Sequence, residues 1–252
     1  MQVKVMTNIY HISYTPETKE ISLFFWGCNF NCLGCLCKKE THNFLLSEHL
    51  HLPFEEPTVI ADSPEQFISF EDLIKTLDKL EIKKVLLEGQ EASLDPLYPQ
   101  ITQALHKRYS SYNTLCSNIY SLPSLKDTDE IAIGLKAVTD SIHKEYTGKS
   151  NRQVLANFIS LNQAGLKSSV ASVFIPGFID IAETENIAEF IAQVNKDIPY
   201  HILPYFKSGF NPWRHPTHEE MEAAEKTARK HLGKVHSWKG DEEMKYEVVK
   251  IF

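Results

Sequence analysis

Six short runs rich in apolar and β-branched residues, at 21–26, 84–87, 114–117, 130–136, 169–175 and 201–204, alternate with longer amphipathic stretches. The runs are too short for helices and almost unbroken in apolar character, which is the pattern of buried strands. The stretches between them carry helical spacing. Leu73, Leu77 and Leu80 share one face over 70–80; Ile101 and Leu105 do so over 97–108, Phe158 and Leu161 over 154–164, and Ile187 and Ile191 over 182–194. A further stretch, 217–232, opens on Thr217 with Glu220 three residues on, the pattern of a capping box. Alternating strand and helix predicts a parallel sheet with helices packed outside it. A complete eight-unit barrel takes about 250 residues. Part of the 252 available is spent elsewhere, so the expected fold is α/β, an open partial (β/α)6 TIM-like barrel forming a single domain over 1–252. The part spent elsewhere is 38–66, which carries His42, His49, His51, Pro53, Pro57 and Pro64 with little periodicity. It reads as an insertion between the cysteine-rich stretch 28–37 and the first helix, and loops of that length are commonly functional lids or mobile segments.

Directly after the first run comes Cys28-Asn29-Phe30-Asn31-Cys32-Leu33-Gly34-Cys35, a C-x3-C-x2-C arrangement, followed by Cys37. Four of the five cysteines thus lie within ten residues, which is not a disulfide framework but an intracellular metal or redox site. Three chemistries are open to it. Cys28, Cys32 and Cys35 can ligate three irons of a [4Fe–4S] cube and leave the fourth iron free for a substrate or cofactor. With Cys37 they can close around one zinc ion, although such sites usually pair two separated knuckles and no second knuckle is present. They can also be inert buried thiols. Gly27 and Gly34 allow the backbone to turn tightly there.

The remaining composition narrows the setting. A net charge of −7 speaks against a broad nucleic-acid surface. No run approaches the roughly 20 apolar residues of a membrane span, and 1–6 lacks the features of a secretory signal, so a cytoplasmic protein is expected.

The cysteine spacing resembles the signature of the radical S-adenosylmethionine superfamily, and further segments follow in matching order. Gly89-Gln90-Glu91 is similar to the strand-ending "GGE" segment, with Gln90 in place of its second glycine. Cys116-Ser117-Asn118 resembles "D-T-N-G", Gly134-Leu135-Lys136 resembles "D-L-K", and Tyr146-Thr147-Gly148-Lys149-Ser150-Asn151 resembles "L-x-G-x-S-N". Phe174-Ile175-Pro176-Gly177 resembles "V-V-P-G", and Ile202-Leu203-Pro204-Tyr205 resembles "L-L-P-Y". The nearest subgroup is the activating enzymes of glycyl-radical enzymes such as pyruvate formate-lyase. Each segment closes a predicted strand or leads on from one, and barrel active sites gather at the C-terminal strand ends.

The resemblance implies an oxidoreductase in which a reduced [4Fe–4S] cluster cleaves S-adenosylmethionine to a 5′-deoxyadenosyl radical, with flavodoxin or ferredoxin as electron donor. It implies that Cys28, Cys32 and Cys35 bind the cluster. Glu91 and the Gly89–Gln90 backbone would hold the methionine amino group, Ser117 and Asn118 the methionine end, and Lys136 the carboxylate. Ile175, Pro176 and Gly177 would shape the adenine pocket. His201 and Trp26 read more simply as packing, and no catalytic acid or base is assigned. Departures from the subgroup fall at Gly34, where those enzymes carry an aromatic residue, and at Cys116 and Gly134, where they carry cation-binding aspartates. Ala171 and Phe206 stand in for an arginine and a histidine. Three targets follow: a glycyl-radical-enzyme partner, a small molecule or peptide, or, in another class, no turnover at all in a zinc or Fe–S binding protein.

Overall fold

The computed structural model describes residues 4–38, 46 and 61–252, so most of the expected insertion lies outside the described residues. Nine strands are found among them: β1 (Ile9–Thr15), β2 (Glu20–Phe25), β3 (Lys84–Gly89), β4 (Tyr112–Ser117), β5 (Glu130–Gly134), β6 (Lys167–Phe174), β7 (Tyr200–Pro204), β8 (Val235–Ser237) and β9 (Val249–Lys250). They form one sheet ordered β8-β7-β6-β5-β4-β3-β2-β1-β9. The run from β2 to β8 is parallel throughout, and β1 and β9 extend the β2 edge antiparallel. The helices α1 (Phe70–Leu77), α2 (Tyr98–Tyr109), α3 (Asp140–Thr147), α4 (Arg152–Gln163), α5 (Ile181–Val194) and α6 (His218–Ala228) lie in the crossovers. The six expected strands and five expected helices are all present, in an open parallel-rich barrel. The Thr217–Glu220 capping box forms at the start of α6.

Burial differs from the expectation in one respect. Most of the parallel strands are fully buried on one face only, whereas β1 and the end of β2 are buried on both. Ile21, Leu23 and Phe25, then Val85 and Leu87, Ile131 and Ile133, and Tyr200 and Ile202 are closed off from water. On the opposite face Ser22, Glu88, Thr114, Cys116, Glu130, Ser169 and His201 remain half-buried. Strand register sets Phe24 beside Glu88, and Cys116, Ala132 and Ser169 in a row across β4, β5 and β6. An eight-strand barrel fills its interior with branched apolar side chains. An unclosed sheet leaves its concave face open to polar groups.

Away from the strand ends that carry the cysteine loop, His106 on α2 stands between two carboxylates, 3.3 Å from Asp127 Oδ1 and 2.8 Å from Asp129 Oδ2. Partial burial pulls its pKa down, the two aspartates outweigh that, and the net shift is upward. A histidine whose folded pKa exceeds its unfolded value of about 6.5 stabilises the fold fully below that value and loses the contribution as pH rises through the folded pKa. Thermal melts of wild type and His106→Gln should therefore differ most near pH 6 and converge by pH 9. A gap that stays constant with pH would dismiss this ion pair.

Candidate active site

Because the parallel strands lie side by side in chain order, their C-terminal ends share one edge of the sheet. The cysteine loop leaves β2 at that edge. Gly27 adopts a positive φ of 104°, which turns the chain directly into Cys28. The loop is then tied down from several sides. Asn31 and Leu33 donate their N–H groups to the carbonyls of Thr147 and Tyr146 at the end of α3, at 2.9 and 3.0 Å. Lys38 Nζ reaches back to Phe30 O at 2.5 Å, and Ser208 Oγ donates to Cys35 O at 3.3 Å.

Gly34 is closed in by Tyr205: a Cβ there would stand 2.7 Å from the ring's Cε2. The ring is 1% exposed and its hydroxyl is bonded to Ser208 O and Asn211 Oδ1, both at 3.1 Å. Tyr205, Tyr146, Ile175 and Ile179 form a small apolar cluster on which Cys32 packs.

The end of β3 fits against the end of β2 with no room to spare. Gly89 has φ +95°, and a Cβ on it would lie 2.8 Å from the Phe25 backbone nitrogen and oxygen. Gln90 donates its N–H to Phe25 O at 2.9 Å. Glu91 is 1% exposed. It accepts from Ser93 Oγ at 2.5 Å, Ser117 Oγ at 2.7 Å and the Asn118 N–H at 2.8 Å. Burial pushes its carboxyl pKa up against these donors. Glu91 therefore braces the end of β3 to the end of β4. Asn118, held by that brace, donates through Nδ2 to Asn29 Oδ1 at 2.7 Å and to Cys28 Sγ at 3.6 Å.

Lys136 follows β5, its Nζ 3.3 Å from the place a Cβ on Gly134 would take. Burial lowers its pKa, the thiols of Cys32, Cys35, Cys28 and Cys37 raise it, and the thiols prevail. The turn after it is held by Glu183 of α5, which accepts from the N–H groups of Val138 and Thr139 at 2.7 and 2.9 Å.

The thiols themselves are unequal. Burial raises Cys28, and raises Cys32 to about 12 against the pull of Lys136. Cys35 is lowered to about 6, chiefly by a hydrogen bond from Cys37, whose own pKa rises in return.

The donor set fits an iron–sulfur cluster. Three thiols, soft donors, project from one loop, Cys28 Sγ accepts from the Phe30 N–H at 3.3 Å, and Lys38 and Lys136 offset thiolate charge. Among the described residues no three His, Cys, Asp or Glu side chains converge on a point as one metal ion requires.

The predicted residues are thus brought together from β2, β3, β4 and β5, and Ile175 joins them through the cluster beside Cys32. Pro176 and Gly177 follow Ile175 just beyond the end of β6. They line a depression of about 640 Å³ with Asp180, Glu185 and Glu219, beside the starts of α5 and α6. Gly177 takes a positive φ of 76° in the turn that follows β6. Trp26 packs edge-on to Tyr10, as its packing role implied. Sequence reasoning missed the Gln90 side chain, Lys38, the α3 carbonyls and Glu183, whose contacts follow no local spacing.

The profile of the radical SAM superfamily matches residues 23–191. A protein of Methanocaldococcus jannaschii named, by inference, a glycyl-radical enzyme activating enzyme is 27% identical over 92% of this chain and 86% of its own length. The pyruvate formate-lyase-activating enzyme of Streptococcus mutans is 30% identical over 34% of each chain. Among solved structures, Streptococcus suis SuiB bound to S-adenosylmethionine aligns with TM-score 0.57 at 11% identity, over 87% of this chain and 46% of SuiB. The structure of anSMEcpe with bound AdoMet aligns with TM-score 0.57 at 10% identity, over 83% of this chain and 61% of that one. These two likenesses are of fold.

Proposed function

The chain belongs to the radical SAM superfamily, whose members use a [4Fe–4S] cluster and S-adenosylmethionine, and on that premise we propose that Cys28, Cys32 and Cys35 hold the cluster here. When bound, the cluster supplies one-electron reductive cleavage of S-adenosylmethionine to a 5′-deoxyadenosyl radical, which takes a hydrogen atom from substrate. The observation that carries the reading is the cysteine loop at the strand-end edge, with Lys136 near enough for its thiols to raise the lysine's pKa.

The chain's own residues bind and orient. The backbone of Gly89 and Gln90 holds the amino end of the cofactor, and Glu91 sets the position of Ser117 and Asn118 beside it. Lys136 is the cation available to the carboxylate. Ile175 closes the adenine side, with Pro176 and Gly177 shaping the turn behind it. The apolar cluster of Tyr146, Ile175, Ile179 and Tyr205 excludes water from Cys32. The electron comes from a flavodoxin or ferredoxin.

For the target, the names of the curated relatives support a glycyl-radical-enzyme partner. A second reading, a small molecule or peptide, is favoured by the half-buried polar face of the sheet and by Cys116 and Gly134 where carboxylates stand in the activating enzymes. We place the protein in the cytoplasm, without membrane or nucleic-acid partners; among the described residues no helix is long and apolar enough to cross a membrane.

The test is an anaerobic assay of iron content, the reduced-cluster EPR spectrum with and without S-adenosylmethionine, and 5′-deoxyadenosine release under strong reductant. Thiolate-bound iron, a spectrum altered by the cofactor, and product formation are expected. Colourless protein carrying one zinc ion and releasing no product sinks the reading.

A further inference from the structure

We propose that the Gln90 side chain is a positioning residue that ties the two ends of the cysteine loop together and so governs how firmly the loop retains iron. The inference rests on the assignment of Cys28, Cys32 and Cys35 as iron ligands. Gln90 Oε1 accepts from the Gly27 N–H at 3.0 Å, one residue before Cys28. Gln90 Nε2 donates to Cys37 O at 3.2 Å, two residues after Cys35. The partners fix the amide's orientation, because an N–H can only donate and a carbonyl can only accept.

Both ends of the loop are thereby bonded to one side chain that enters from a different strand. Gln90 is itself set in place by its backbone N–H on Phe25 O at 2.9 Å, and by the tight packing of Gly89 against the Phe25 backbone. The clamp therefore stands on rigid sheet. It acts on Gly27, whose positive φ directs Cys28, and on the short 3-10 turn Leu36–Lys38 that follows Cys35. A glycine at this position has no atoms with which to do this. Groups that hold metal-binding elements in register from outside the ligand set typically change metal retention when removed.

Two variants test it. Gln90→Met keeps length and volume and removes both bonds. Gln90→Glu keeps an acceptor for the Gly27 N–H and sets its second oxygen against the Cys37 carbonyl. Amide exchange in the metal-free protein reads the clamp directly, and Gly27 is expected to exchange about tenfold faster in Gln90→Met, with the core strands unchanged. In anaerobically reconstituted protein, loss of iron to a ferrous chelator is expected to be roughly ten- to a hundredfold faster in Gln90→Met, and also faster than wild type in Gln90→Glu. The reduced-cluster EPR spectrum should shift or broaden in both, which a general loss of stability would not produce. Wild-type exchange at Gly27, or wild-type iron loss in both variants, overturns the proposal. Faster exchange in a protein whose wild type never assembles thiolate-bound iron upholds the clamp and sinks the ligand assignment instead.

Discussion

Cys28→Ala, Cys32→Ala and Cys35→Ala are each expected to release no 5′-deoxyadenosine above background, while Cys37→Ala is expected to retain the activity. The three are equivalent in chemistry although their surroundings differ. Cys28 is met by the N–H of Phe30 and the amide of Asn118, Cys32 by the apolar cluster with Tyr146 and Tyr205, and Cys35 by the thiol of Cys37. Each would hold one corner of the cube, and no described neighbour of the right chemistry stands ready to replace it except Cys37 beside Cys35. Removing one corner leaves the cluster bound through two thiolates, and ligand loss of this kind is a loss of the cofactor itself. Cys37 contributes a hydrogen bond to Cys35 and a backbone carbonyl to Gln90, and alanine keeps the second of these. Iron per chain and product should be measured on the same anaerobic preparations. Loss of product in the Cys37 variant with full activity in Cys35→Ala would exchange the roles of the two.

The second large effect is on stability. Glu91→Ala removes a carboxylate that is 1% exposed and leaves the Asn118 N–H without its acceptor. The hydroxyls of Ser93 and Ser117 can rotate to other partners, but a backbone N–H cannot. Losing a charged acceptor and orphaning a buried donor costs about 3 kcal/mol. For a chain of this size that lowers the melting temperature by about 6–12 °C. Because Asn118 also reaches Cys28 and Asn29, the same variant should release less 5′-deoxyadenosine per chain even well below its melting point. An unchanged melting temperature would mean that the turn after β4 holds itself without the brace.

The parts of the fold that were legible in the sequence were those with strong periodicity. The six parallel strands and five helices announced themselves as apolar runs and one-sided stripes. α3 did not, because its buried positions are His143, Tyr146 and Thr147, with little apolar signal. β1 lies outside the strand–helix alternation and pairs antiparallel with β2, while β8 and β9 span three and two residues. The site divides in the same way. Cys28, Cys32 and Cys35 are set by spacing along the chain. Gln90 meets Gly27 and Cys37 across 63 and 53 residues, and Glu183 meets Thr139 across 44, so only the folded arrangement discloses them.

Gly34 and Tyr205 occupy what is in effect a single volume. A descendant of this chain that acquired any side chain before its third cysteine would first have to vacate the end of β7, and one that lost the ring would open a void that a larger residue at 34 could fill. In this chain the two distant positions are therefore coupled: any residue larger than glycine at 34 requires the Tyr205 ring to swing aside.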